Sequence, residues 1–134
     1  MILVKGKPPI YQKIIDAGLY PTDSTVFTYG DKLFIQDLNE KEIDPVLLAH
    51  EKHHSKQQGD RPNEWWDKYI FDEKFRFQQE LEAYVVEYKM VKKLFNNKIQ
   101  KYALHRFAQD LSSSMYGNLI TTPEAESRIR NQAK

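Results

Sequence analysis

His50, Glu51 and His54 stand together in the run Leu48-Ala49-His50-Glu51-Lys52-His53-His54. Imidazole nitrogens suit a divalent transition metal, and a carboxylate beside such a metal can take a proton from water. On an α-helix the spacing from i to i+4 advances about 6 Å along the axis and returns to nearly the same face, so both imidazoles can reach one ion. Glu51 projects beside the pair, where it is placed for proton transfer rather than for binding. His53 lies about 100° round the helix from His54, which assigns it to the surface.

A catalytic zinc usually keeps three protein ligands and one open position, so two histidines are not enough. The sequence contains no cysteine, which leaves histidine and carboxylate as the donors. The next source of a third ligand is the segment Phe77-Gln78-Gln79-Glu80-Leu81-Glu82-Ala83-Tyr84. Glu82 is preferred there, because Ala83 beside it would let two helices approach closely; Glu80 and Glu87 are the other candidates. Arg76 could pair with a carboxylate near the site, with a surface ion pair as its default.

The elements that must carry these residues follow from local signals. Ile10, Ile14, Ile15 and Leu19 recur at helical spacing after Pro8-Pro9, with Gly18 placed to end that short helix. Val26 to Tyr29 and Lys32 to Ile35 are rich in β-formers and flank Gly30-Asp31, which predicts a hairpin. Asp44-Pro45 is an N-cap followed by proline at the first helical position, and the helix should run through the histidines to Gln57 and stop at Gly59. Asp60 to Asp67 is expected as a loop, with Trp65-Trp66 packed beneath it rather than lining a substrate groove. A long, largely buried helix follows from about Trp66 to Asn96, with a break near Phe71-Asp72. A third helix spans roughly Lys98 to Ser113 on the stripe Leu104, Phe107, Ala108, Leu111. Thr121 with Glu124 has capping-box spacing, and Pro123 suits the first turn of a last helix to about Gln132.

With these elements in order, the chain resembles the gluzincins, zinc peptidases in which HExxH is followed by a glutamate ligand on a second helix, often written Glu-Ala or Glu-x-x-Ala. The matching residues are His50, Glu51, His54 and Glu82-Ala83, and size and element order look most like the minimal gluzincins, over about Val26 to Leu94. The resemblance implies an α+β, zincin-like fold: a small β-hairpin or sheet packed on an active-site helix and a glutamate helix, with further C-terminal helices. It implies that His50, His54 and Glu82 hold zinc, while Glu51 is the general base for the water that hydrolyses a peptide bond. It also implies that an edge strand, here Lys32 to Gln36, binds an extended peptide by β-augmentation. Some gluzincins have an aspartate four residues after the ligand glutamate; that position is Val86 here, so a histidine's second nitrogen must find another partner, among them Asp67, Asp72 and Glu87. For the oxyanion, His105, Tyr102 and Tyr116 are available, with His105 the catalytic assignment.

Length and charge bound the alternatives. The chain has 134 residues with 20 basic and 19 acidic side chains. That fits a single zincin-like domain over residues 1–134 and gives no support for nucleic-acid binding. Ile2-Leu3-Val4 is too short for a signal peptide and no apolar run is long enough to span a bilayer, so a cytoplasmic protein without membrane association is expected. The partner is then a peptide or protein substrate. The competing function is a non-catalytic zincin-like module, structural or binding, in a larger assembly such as a phage particle.

Overall fold

The computed structural model describes residues 1–22, 24–36 and 43–134. These residues form two compact units, Met1–Asp72 and Glu73–Lys134. The fold is α+β and mostly helical, with a three-stranded sheet and six α-helices among the described residues.

In the first unit, β2 (Phe27–Tyr29) and β3 (Lys32–Ile35) form the expected hairpin, with Thr28 opposite Leu33 and Tyr29 opposite Lys32. The two-residue connection demands positive φ, and Gly30 supplies it at +61°. Helix α1 covers Tyr11–Asp16, shorter than its apolar spacing suggests, and Ile10 and Ile14 are its buried anchors. Helix α2 covers Pro45–Gln58; the Asp44 side chain accepts from Val46 N at 2.9 Å, and Gly59 ends the helix at φ +57°. All the signals for these elements act over a few residues.

Two features depart from expectation. Ile2–Lys5 forms a strand, β1, which pairs in parallel with β3 from Ile2 opposite Lys32 to Lys5 opposite Ile35. The sheet order is therefore β1-β3-β2, and β3 is the central strand. Its backbone is paired on both sides, so Lys32 to Gln36 is not an edge that can add an extended peptide. The other departure is α3, Pro62–Phe71, where a loop to Asp67 was expected. Pro62 and Asn63 look like loop residues, but proline at the first helical position starts the helix, and Trp65, Trp66, Tyr69 and Ile70 then form its buried stripe. The break at Phe71-Asp72 is present: α3 ends at Phe71, Asp72 is extended, and the next helix begins at Glu73.

The core of the first unit is aromatic. Trp65 stacks on Tyr69 with ring centroids 4.9 Å apart, Trp66 meets Trp65 edge-on at 5.0 Å, and Phe27 lies 6.3 Å from Trp66. Trp65 and Trp66 are thus packing residues. The Trp66 indole still needs a partner for its N–H, and it donates to the Thr28 carbonyl at 2.9 Å.

A polar seam joins α2 to the hairpin. Glu51, Ser55 and Gln58 follow i, i+4, i+7 and so share one helix face. Ser55 Oγ donates to the Gly30 carbonyl at 2.6 Å, Gly30 N–H donates to Gln58 Oε1 at 2.7 Å, and Gln58 Nε2 donates to the Thr28 carbonyl at 2.8 Å. Gln58 is only 4% exposed. With Trp66, these bonds also occupy the outer edge of β2 at Thr28.

The second unit contains α4 (Glu73–Leu94), α5 (Asn97–Leu111), a single 3-10 turn (Ser114–Tyr116) and α6 (Thr122–Gln132). Asn96 caps α5 by accepting from Ile99 N, and Thr121 caps α6 by accepting from Glu124 N at 3.3 Å. Leu104, Ala108 and Leu111 of α5 and Ala125 and Ile129 of α6 are buried where these helices pack. Phe107 is only half-buried and lies against Tyr84, with centroids 5.1 Å apart. No helix among the described residues is long and apolar enough to cross a membrane.

The seam gives a stability prediction. Gln58→Ala removes two hydrogen bonds, one to the buried Thr28 carbonyl and one from the part-buried Gly30 N–H, and should lower the unfolding free energy by about 2 kcal/mol in urea denaturation. The exposed neighbour change Lys56→Ala should stay within about 0.5 kcal/mol of the parent.

Candidate metal centre

Helix α2 positions His50 and His54 one turn apart, and both are buried, each 6% exposed. Their rings meet edge-on with centroids 4.7 Å apart, and the two Nε2 atoms are separated by 3.1 Å. A tetrahedral ion with bonds of about 2.0–2.1 Å holds adjacent ligand nitrogens about 3.3 Å apart, so the pair is within a few tenths of an ångström of ligand spacing. His54 Nδ1 lies 2.8 Å from Gln57 Oε1. A carbonyl oxygen only accepts, so Nδ1 carries the hydrogen and Nε2 keeps its lone pair for a metal. Trp65 packs on the His54 ring with centroids 5.3 Å apart and limits its rotation.

His50, His54 and Glu80 are a buried group whose ligand atoms all lie within 4.8 Å of one another. Two imidazoles and one carboxylate, without thiolate, are a donor set that could hold a divalent metal ion. Glu82, the expected third ligand, is not in that group; it is half-buried on α4, about 200° round the helix from Glu80. The phase of α4 separates the two. Arg76, Phe77, Glu80, Leu81, Ala83, Val85, Glu87, Tyr88 and Val91 are its buried positions; they cover a broad arc of the helix that includes Glu80 and leaves out Glu82. That phase is legible in the sequence, where the Glu-Ala pair points instead to Glu82.

Glu80 is itself held. The Tyr116 hydroxyl donates to Glu80 Oε2 at 3.1 Å, and both residues are buried. Tyr116 ends the 3-10 turn, which Arg76 fastens to α4 by donating from Nη1 to the Met115 carbonyl at 2.6 Å. Arg76 is thus a buried brace rather than a surface cation. Gly117 follows with φ +83°, and a Cβ there would come 2.7 Å from Glu73 Oε2, so glycine serves both the turn and its approach to α4. Desolvation by burial holds the neighbouring Tyr84 phenol well above its ordinary range; Tyr116 and the Glu80, Asp110 and Glu87 carboxylates push the same way. Tyr84 therefore stays protonated and donates to Asp110 Oδ2 at 3.1 Å.

Glu51 is 7% exposed and turns toward the hairpin. Thr28 Oγ1 donates to Glu51 Oε2 at 2.6 Å and lies 3.2 Å from the Glu51 main-chain carbonyl. His53 is half-exposed, in keeping with a place outside the pair. His105 is exposed on α5, its Nδ1 2.7 Å from Glu126 Oε1. Tyr102 is 65% exposed and accepts from Arg106 Nη1 at 3.3 Å. Of the three residues weighed for an oxyanion, Tyr116 is the one bonded to a member of the metal group. Asp67 pairs with Lys13 at 3.1 Å, and the group facing the second ring nitrogen of His54 is the amide of Gln57. Thr28, Gln57 and Gln58 carry no motif, and only their placement on the hairpin and on two faces of α2 could have marked them.

No family model matches the chain, and no curated protein and no solved structure matches it.

Titration with Co2+ tests the donor set. His50→Ala, His54→Ala and Glu80→Gln should each weaken binding at least about 100-fold, Gln57→Ala about tenfold, and Glu82→Gln hardly at all. Equal losses for Glu80→Gln and Glu82→Gln would contradict the assignment.

Proposed function

We propose that the protein is a zinc-dependent peptidase of gluzincin type, with His50, His54 and Glu80 as metal ligands and Glu51 as general base. The observation that carries this reading is a pair of buried histidines whose Nε2 atoms are at ligand spacing, with a buried carboxylate, Glu51, on the residue after His50. A purely structural metal would need no such group, and burying a carboxylate without an ion partner is costly. Zinc is the metal of choice because a histidine and carboxylate set of three is the composition of catalytic zinc sites, which leave one position open.

When bound, zinc supplies Lewis acidity that polarises a scissile carbonyl and acidifies water. The chain's own residues do the rest. Glu51 accepts a proton from water as its oxygen bonds to the carbonyl carbon, and it returns that proton to the amide nitrogen as the C–N bond breaks. The products are a carboxylic acid and an amine, which part as carboxylate and ammonium once the second water proton passes to the nitrogen, and Glu51 ends as it began. Gln57 keeps His54 in the tautomer that exposes Nε2, and the Tyr116 hydroxyl steadies Glu80. His105, tied to Glu126 on an exposed face, has no step in this scheme.

A fluorogenic peptide library should therefore be cleaved by the zinc-loaded protein, with loss of activity on chelation and return on adding zinc. Glu51→Gln should lower kcat/KM at least about 100-fold while keeping one zinc per chain by elemental analysis. A Glu51→Gln protein as active as the parent, or a zinc-loaded parent that cleaves nothing, would favour a non-catalytic module instead.

A further inference from the structure

We infer that Thr28 is the positioning residue for Glu51, fixing the orientation of its carboxylate from the hairpin; the inference rests on the proposed role of Glu51 as base. Thr28 is 2% exposed, and its hydroxyl is 2.6 Å from Glu51 Oε2. That length is the one found for a hydroxyl donating to a charged carboxylate, about 2.5–2.7 Å. Among the described residues Glu51 Oε2 has this one donor, and Oε1 accepts no hydrogen bond. One oxygen is therefore held and the other is left for the proton of a water. A general base must keep its accepting oxygen within about 2.6–3.2 Å of that proton's donor, and a carboxylate free to turn about its last torsion would spend much of its time elsewhere.

The donor is as firmly placed as the acceptor. The Thr28 carbonyl accepts from both Gln58 Nε2 at 2.8 Å and Trp66 Nε1 at 2.9 Å, so the backbone of residue 28 is fixed from α2 and from α3. Thr28 stands opposite Leu33, which is fully buried, and this register gives the Thr28 side chain one face of the sheet. A slip of one residue would bring Phe27 or Tyr29 to Glu51, and neither has a hydroxyl on Cβ. The threonine methyl fills the buried space around the hydroxyl and limits its rotamers, which a flexible donor could not do.

The test uses Thr28→Val, which keeps the shape and removes the donor, and Thr28→Ser, which keeps the donor. With zinc bound and a fluorogenic peptide as substrate, Thr28→Val should lower kcat about 10- to 100-fold with KM within about twofold of the parent. Thr28→Ser should recover most of the rate, and in a Glu51→Gln background Thr28→Val should cost little further. The metal-free protein gives a second readout: the melting-temperature losses of Thr28→Val and Glu51→Gln should sum to more than the loss in the double variant. Unchanged kcat in Thr28→Val, equal defects in Thr28→Ser and Thr28→Val, or additive melting losses would each overturn the assignment. If the zinc-loaded parent cleaves no peptide, the peptidase reading falls, and the melting-temperature cycle alone decides whether Thr28 holds Glu51.

Discussion

The seating of α2 on the hairpin is the constraint from which the geometry around the histidines follows. It is polar and directional: Ser55, Gln58 and Glu51 meet Thr28 and Gly30 through hydroxyl, amide and carboxylate bonds. Apolar ridges tolerate small slides, whereas a set of short hydrogen bonds at i, i+4 and i+7 fixes both the rotation and the height of a helix. Turning α2 by one residue would replace Ser55 by Lys56 or His54 and Gln58 by Gly59 or Gln57. With the rotation set, His50 and His54 fall on a neighbouring stripe of the same helix, one residue round from the seam.

The same seam explains why α2 looks unremarkable by hydropathy. Of its buried residues only Val46 is apolar, while His50, Glu51, His54 and Gln58 are polar. Each has a partner, as burial of such groups requires. An apolar-periodicity rule recovers a core face only where the core is hydrocarbon, as in Trp65, Trp66, Tyr69 and Ile70 of α3. Here the helix had to be recognised by its ends, Asp44-Pro45 and Gly59, and those signals served well.

What could be inferred from the sequence divides along the same line. The hairpin, the caps and the His-Glu-His spacing are local, set by residues within a turn or two of one another. Strand β1 is not legible in the sequence because its partner β3 lies far along the chain and its four residues show no alternation; Ile2 and Leu3 remain about half exposed even when paired. Only the start of α3 falls on the expected loop, because proline and asparagine suit both loops and first turns, whereas its later residues lie in the helix expected from about Trp66. Glu82 carries the two-residue Glu-Ala pattern, whereas Glu80 stands in the helix phase that Phe77, Leu81, Tyr88 and Val91 define. Thr28 could not be found at all without the register that puts it opposite Leu33 and over Glu51.

The central position of β3 has a consequence for the order in which the first unit assembles. Joining β2 to β3 closes a two-residue loop, whereas joining β1 to β3 in parallel must first close the chain through α1 and everything up to the hairpin. Loop-closure entropy and the slow formation of non-local parallel pairs place β1 late in folding. Strand β1 then adds to a hairpin already formed, on the margin away from Thr28. The hydrogen bonds that hold the Glu51 carboxylate run from Thr28, itself fixed by Gln58 and Trp66, and involve no residue of β1, so in that order of assembly the carboxylate needs nothing from the strand that completes the sheet.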